Sequence, residues 1–143
     1  MDDRLSRPQI EVVGAVIVRD GLVLCAQRGP GGSLAGKWEF PGGKVEHGES
    51  GRLALEREID EELRCVVEVG GEIATTRYDD GRVVVVLTTF WCSIVSGTPQ
   101  LTEHTALRWV APGELGSLDW APADVPAVDL VSAACRTEDV SEG

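Results

Sequence analysis

Several kinds of feature are missing from this chain, and each absence narrows what it does. There is no run of about 18 apolar residues of the kind that spans a membrane. The N-terminal stretch "MDDRLSRPQ" carries acids and a proline where a secretory signal needs an apolar core, so the chain is expected to stay in the cytoplasm. Cysteine is sparse and scattered: Cys25, Cys65, Cys92 and Cys135 form no Cys-x-x-Cys pair, and there are only 2 histidines. That spacing argues against a zinc site and, without an export signal, for reduced thiols. Cys25 and Cys92 lie inside apolar runs and read as small buried hydrophobes. Positive charge is also scarce. Lys and Arg number 13 against 24 Asp and Glu, a formal net charge of -11. With a pI near 4.5, the chain lacks the basic surface that a nucleic-acid backbone requires. A small phosphorylated ligand remains open, provided metal ions neutralise the charge where the two meet. Repeats and linkers are absent too.

What is present suits one domain over residues 1–143. A chain of 143 residues buries roughly two thirds of its unfolded surface on folding, and 43% hydrophobic content is ordinary for a globular protein. "IEVVGAVIVRDGLVLCAQR" reads as two strands joined at Arg19-Asp20-Gly21, because Asp-Gly between apolar runs signals a hairpin. The glycine-rich "GPGGSLAGK" is a loop, "WEF" a short strand, and Pro41-Gly42-Gly43 a break in regular structure. Ser50 to Leu63 is the long helical candidate. "VVEVGGEIATTRY" and "RVVVVLTTFWCSIV" flank Asp79-Asp80-Gly81 as a second, longer hairpin. "LRWVA" reads as a last strand, "PGEL" as a helical turn, and "PAVDLVSAACR" as a terminal helix with Pro126 in its first turn. The acidic end, residues 136–143, is expected to fray. Strands, helix, strands, helix in that order predict an α/β sandwich with a mixed sheet.

The stretch "REIDEEL" poses a physical question, since it crowds repulsion onto a chain that is already acidic. Residues three and four apart share a helix face, so Leu55, Ile59 and Leu63 form a core stripe. Glu58, Glu61 and Glu62 form a second stripe beside it. Like charges at those spacings cost about 0.2–0.5 kcal/mol each. Glu61 and Glu62 also sit in the last turn, where the helix dipole favours cations by about 0.3–1 kcal/mol. A solvated face would tolerate this small penalty. A divalent ion such as magnesium uses it, because it takes carboxylate oxygens and keeps positions open for water and phosphate.

The surrounding residues are more specific than the helix alone. "GKVEHGESGRLALEREIDEELRC", residues 43–65, fits G-x5-E-x7-R-E-U-x-E-E-x-G-U (U apolar) at every fixed position but one. This resembles the signature of the Nudix hydrolases, which cleave nucleoside diphosphates linked to another moiety. The departure is Arg64, where the family carries glycine. That glycine ends the helix in a left-handed conformation, which costs another residue roughly 1–2 kcal/mol. Arg64 supplies no metal ligand and removes none, so the cost falls on stability.

The resemblance implies an α/β/α sandwich, magnesium or manganese as cofactor, and roles for particular residues. Glu58, Glu61 and Glu62 match the metal ligands, with a carbonyl of Gly42 or Gly43 and the carboxylate of Glu49 beside them. Arg57 matches the arginine that orients a neighbouring carboxylate. "AQRGPGGSLAGKWEFPGGKVEHGE", "EHTALRWVAPGEL" and "WAPADVP" extend the likeness to the MutT branch, which sanitises nucleoside triphosphates, and especially to its CTP pyrophosphohydrolase members. Glu103 matches that branch's late carboxylate, which binds metal or acts as base. Either Glu62 or Glu103 takes the proton. Arg28 and Lys44 are the cations matched to substrate phosphates. Phe40 stacks on the base or belongs to the core, whereas Trp38, Trp91 and Trp109 are assigned to the core. His47 and His104 are bystanders on this reading. Asp124 matches a position where cytidine-type members carry aspartate and 8-oxoguanine-sanitising members asparagine; as a plain residue it would cap the terminal helix.

The implied reaction is metal-assisted hydrolysis of a nucleoside triphosphate to the monophosphate and pyrophosphate. Cytidine-type substrates are favoured, and 8-oxo-dGTP is the alternative. Longer substrates such as ADP-ribose would need motifs not found here. A non-catalytic nucleotide-binding module would be expected to lose signature glutamates, and here all are present. No nucleic-acid polymer or membrane is implied as partner, and the oligomeric state is left open.

Overall fold

The computed structural model describes residues 7–142, with side chains to 134. The N-terminal stretch 1–6 and the side chains of the tail expected to fray, 136–143, lie outside the described residues. Strands β1 (Gln9–Arg19), β2 (Leu22–Gln27), β3 (Trp38–Glu39) and β4 (Gly42–Lys44) precede helix α1 (Gly51–Leu63). Strands β5 (Val66–Asp79), β6 (Val84–Ser96) and β7 (Ala106–Val110) then lead to two 3-10 turns and helix α2 (Val125–Glu142). Both hairpins form where the turn residues place them. At the first, Asp20 (φ 54°) and Gly21 (φ 78°) take the left-handed conformations that a tight hairpin needs.

The sheet runs β3-β2-β1-β6-β5, with β4 paired to β1 and β7 to β2. β1 and β6 are parallel, Gln9 opposite Val84 through Ile17 opposite Cys92, and the other pairs are antiparallel. The sheet is therefore mixed. Alternation along β1 divides the core into two layers. Val13, Ala15 and Ile17 face Leu55, Ile59 and Leu63 of α1. Val16 faces the other side, where Val128 and Val131 of α2 pack with Trp38, Phe40 and Trp120. The result is the α/β/α sandwich expected from the sequence.

One local expectation is corrected. Pro41-Gly42-Gly43 does not end regular structure, because Gly42 and Gly43 enter β4 and pair with Gly14 and Val13. Glycine is what permits it: a Cβ at Gly42 would lie 1.9 Å from the carbonyl oxygen of Val13. The helix behaves as its sequence predicts. Ser50 caps it, its hydroxyl accepting from Leu53 N, and Arg64 ends it at φ 57° and ψ 36° with its N–H on the Asp60 carbonyl. Arg64 thus adopts the glycine conformation without being glycine.

Candidate active site

The acidic helix and the sheet edge beside it divide the charged residues into two groups. The first surrounds Arg57. Its Nε and Nη2 donate to the two oxygens of Glu49 at 2.8 and 2.9 Å, a bidentate pair. Its Nη1 reaches Glu58 at 2.8 Å and Glu61 at 3.3 Å, and Nη2 also donates to the carbonyl of Lys44 at 3.1 Å. One guanidinium therefore gathers Glu49, Glu58 and Glu61 and ties them to β4. The Arg57 hydrogen bond holds the Glu49 carboxyl down at about 2. With these oxygens engaged, no three His, Cys, Asp or Glu side chains converge on one point among the described residues.

The second group lines a polar cavity and includes two buried atoms without partners, Glu62 Oε2 and His104 Nδ1. Glu62 lines the site with one oxygen, Oε2, that is buried and unpaired. Burial is the main cause that pushes its carboxyl up to about 8. Glu103 and His104 line a polar cavity of about 320 Å³ together with Glu62, Glu39, Arg28 and the Gly29–Gly31 turn. A larger cavity of about 660 Å³ adjoins it, lined by Arg28, Phe40, Gly42, Gly43, Lys44, Glu62 and Asp124 among others. Every residue assigned from the sequence to substrate binding thus borders one space. Glu49, Glu58 and Glu61 are gathered on the helix side of Gly43. A Cβ at Gly43 would come within 2.3 Å of the Glu58 carboxylate, so a side chain there would have to displace it.

Asp124 is 6% exposed. Its Oδ1 accepts the backbone N–H of Phe40 at 3.1 Å, a bond to β3's end and not to the start of α2. Burial raises its carboxyl to about 7, with the Phe40 bond opposing. Phe40 joins both readings made of it: it is 3% exposed, 4.8 Å from the Trp120 ring, and still borders the larger cavity. Trp38 is core, and Trp91 and Trp109 pack against the core. Arg28 and Lys44 border the larger cavity.

Four residues bordering these cavities, Glu39, His104, Tyr78 and Asp80, carry no assigned role in the sequence analysis. Glu39 receives Arg28 Nη1 at 2.9 Å on Oε1 and stands 2.9 Å from His104 Nε2 on Oε2. A charge between Trp38 and Phe40 in a period-two strand was the available signal, because both neighbours face the core and Glu39 must face away. His104 is buried at its side chain, 7% exposed, and its bond to Glu39 holds its pKa above the usual value. Tyr78 and Asp80, at the tip of the long hairpin, also border the larger cavity, and nothing local marked them.

The donor set suits a hard divalent ion: several carboxylates, one with a buried unpaired oxygen, beside glycine backbone that a side chain would obstruct. Comparison with known proteins identifies the family. The NUDIX domain profile matches residues 8–131. The chain is 43% identical over 124 residues to the CTP pyrophosphohydrolase of Escherichia coli (strain K12), covering 87% of this chain and 92% of that one. It is also 43% identical over 123 residues to the "Putative 8-oxo-dGTP diphosphatase 2" of Mycobacterium tuberculosis (strain ATCC 25618 / H37Rv), covering 81% and 82%. A solution structure of MutT, family Nudix hydrolase, from methicillin-resistant Staphylococcus aureus 252 superposes with a TM-score of 0.76 at 45% identity, covering 90% of this chain and 98% of that one.

Proposed function

The chain belongs to the Nudix hydrolase family, and from that premise we propose that it is a nucleoside triphosphate pyrophosphohydrolase that favours cytidine-type substrates. Nudix hydrolases generally need a divalent metal. We assign magnesium, with manganese as substitute, to Glu58, Glu61 and Glu62, with Glu49, Glu103 and a carbonyl of Gly42 or Gly43 as further donors. Bound there, the ion would supply charge neutralisation for the phosphates and would lower the pKa of a water. Hydrolysis joins a water oxygen to the β-phosphorus as the bond from that phosphorus to the oxygen bridging to the α-phosphorus breaks, the water's proton passing to a carboxylate. Nucleoside monophosphate and pyrophosphate result. Arg57 orients the carboxylates of Glu49, Glu58 and Glu61. Arg28 and Lys44 meet the phosphate chain. Of the two candidates to accept the water's proton, Glu62 has the orphaned oxygen and borders both cavities, whereas Glu103 borders the smaller one.

The observation that carries the base preference is Asp124, a buried carboxylate bordering the same cavity as Phe40 and Glu62. An ionised carboxylate only accepts hydrogen bonds, which suits the exocyclic amino group of cytosine. Facing a carbonyl of 8-oxoguanine, it is mismatched at a cost of roughly 1–3 kcal/mol. Its raised pKa, about 7, adds a condition: the carboxyl is an acceptor alone only above that value. The 43% identity to the "Putative 8-oxo-dGTP diphosphatase 2" supports the second reading, 8-oxo-dGTP as substrate.

The deciding experiment is a panel of canonical and damaged nucleotides assayed for pyrophosphate release with magnesium at pH 8. The expected result is a higher kcat/KM for CTP, dCTP or 5-methyl-dCTP than for 8-oxo-dGTP. If 8-oxo-dGTP is the best substrate, the cytidine assignment fails. Binding without turnover of any member would make the chain a nucleotide-binding module and end the enzymatic reading.

A further inference from the structure

The corner where β3, β2 and β7 meet holds a chain of three side chains, of which the reaction as described uses only Arg28. In register, Gln27 of β2 lies opposite Trp38 of β3 and Ala106 of β7. Arg28 leaves β2 there, Glu39 follows Trp38, and His104 precedes β7. The Thr105 N–H on the Gln27 carbonyl, at 2.9 Å, pins that loop to the same corner. Glu39 spends one oxygen on each neighbour, Oε1 on Arg28 and Oε2 on His104, both at 2.9 Å. All three side chains border the polar cavity with Glu62 and Glu103. Arg28 and Glu39 also border the larger one.

We propose that Glu39 is a positioning residue that locks Arg28 and the Glu103-bearing loop into one arrangement, with His104 as the link to the loop. It rests on the reading of Arg28 as a phosphate-facing cation and of Glu103 as part of the reacting centre. Three observations carry it. The side chains of His104 and Glu39 are 7% and 21% exposed, so water competes little for the bond between them. Arg28, at 45%, is far more open, and an exposed pair of this kind contributes little to stability by itself. The value of holding it lies in placement: a long, rotamer-rich cation is fixed at the border of two cavities before substrate arrives. Finally, His104 Nδ1 and Glu62 Oε2 are both buried without a partner, which leaves Glu39 as the group that orients the imidazole.

The test is steady-state kinetics with dCTP and magnesium on E39A, R28A, H104A and E39A/R28A, with folding checked by circular dichroism. R28A should raise KM by ~10-fold or more, H104A should lower kcat by ~10-fold, and E39A should do both. E39A/R28A should have the KM of R28A alone, because both changes remove one interaction. Constants for E39A within ~2-fold of wild type would overturn the proposal, as would KM effects of E39A and R28A that multiply. A purely structural Glu39 would lower Tm and the active fraction while leaving KM untouched, which also overturns it.

The isosteric E39Q keeps the test decisive if E39A does not fold. Its amide oxygen can still accept from Arg28, but its amide nitrogen donates, so His104 must move its proton from Nε2 to Nδ1 to accept. Imidazole 15N shifts of His104 should report that move together with partial recovery of KM; an unchanged tautomer overturns the link. Titration of a non-hydrolysable α,β-methylene-dCTP separates the two readings. Weaker binding by E39A from a wild type that releases no pyrophosphate keeps the positioning role and sinks the pyrophosphohydrolase. A wild type that turns over normally beside an unaffected E39A does the reverse.

Discussion

Around Arg57, Glu49, Glu58 and Glu61 share one guanidinium, and Glu49 is held near 2 by it. Across Gly43, Glu62 is half-buried with one oxygen buried and unpaired, Asp124 is buried, and their carboxyls rise to about 8 and about 7. The residue types are the same and the surroundings opposite. The Arg57 network orders the helix carboxylates into a scaffold, whereas desolvation favours the protonated form of Glu62 and Asp124.

The sharpest way to break that comparison is to remove one charge from each side. Glu62→Gln and Glu61→Gln keep size and helix propensity, and each should lower kcat by at least ~100-fold, the half-buried Glu62 more than the exposed Glu61. Magnesium should raise the thermal midpoint of the wild type and raise that of the double variant less. Near-normal turnover in both single variants would remove the metal-platform reading.

Next in size is the exchange of Asp124 for Asn, which turns an acceptor into a group that also donates. The ratio of kcat/KM for dCTP over 8-oxo-dGTP should move away from cytosine by ~10- to 100-fold at pH 8. An unmoved ratio would mean that Asp124 does not read the base.

The same variant tests the desolvation itself. The folded pKa of Asp124, about 7, lies above the ordinary 3.8. Its stabilising contribution is therefore complete below 3.8 and is lost as pH rises through 7. Asp124→Asn cannot lose it. Between pH 5 and pH 8 the stability of the variant should accordingly gain on the wild type by about 1–2 kcal/mol, less than the full shift because Asp124 borders a cavity. Parallel melting curves across that range would show that the site is not desolvated.

The smallest effect belongs to the helix end. Arg64 sits at φ 57°, so Arg64→Gly should stabilise the fold by up to about 1 kcal/mol and leave kcat unchanged. A marked loss of activity would show that Arg64 reaches substrate, placing it with the functional charges.

Much of the scaffold could be read from local chemistry. Ser50, the apolar stripe of Leu55, Ile59 and Leu63, and the left-handed Arg64 define α1 from residues within a few turns of one another. Asp20-Gly21 and Asp79-Asp80-Gly81 define the two hairpins for the same reason. The spacing from Gly43 to Glu62 likewise marked which carboxylates gather at the site, since a helix carries its own periodicity.

What pairing and burial decided lay beyond that reach. The parallel match of β1 with β6 joins residues 75 positions apart, and nothing in either strand encodes its partner. β4 exists because two glycines let its backbone approach β1, a fact about the neighbour as much as about "PGG". Glu39 became the bond between Arg28 and His104 only when β3 and β7 were laid on either side of β2. The sequence determined how many carboxylates there are and which helix face they occupy, because charge and periodicity are local. Which of them stay ionised was left to tertiary structure, because desolvation depends on everything packed around the group.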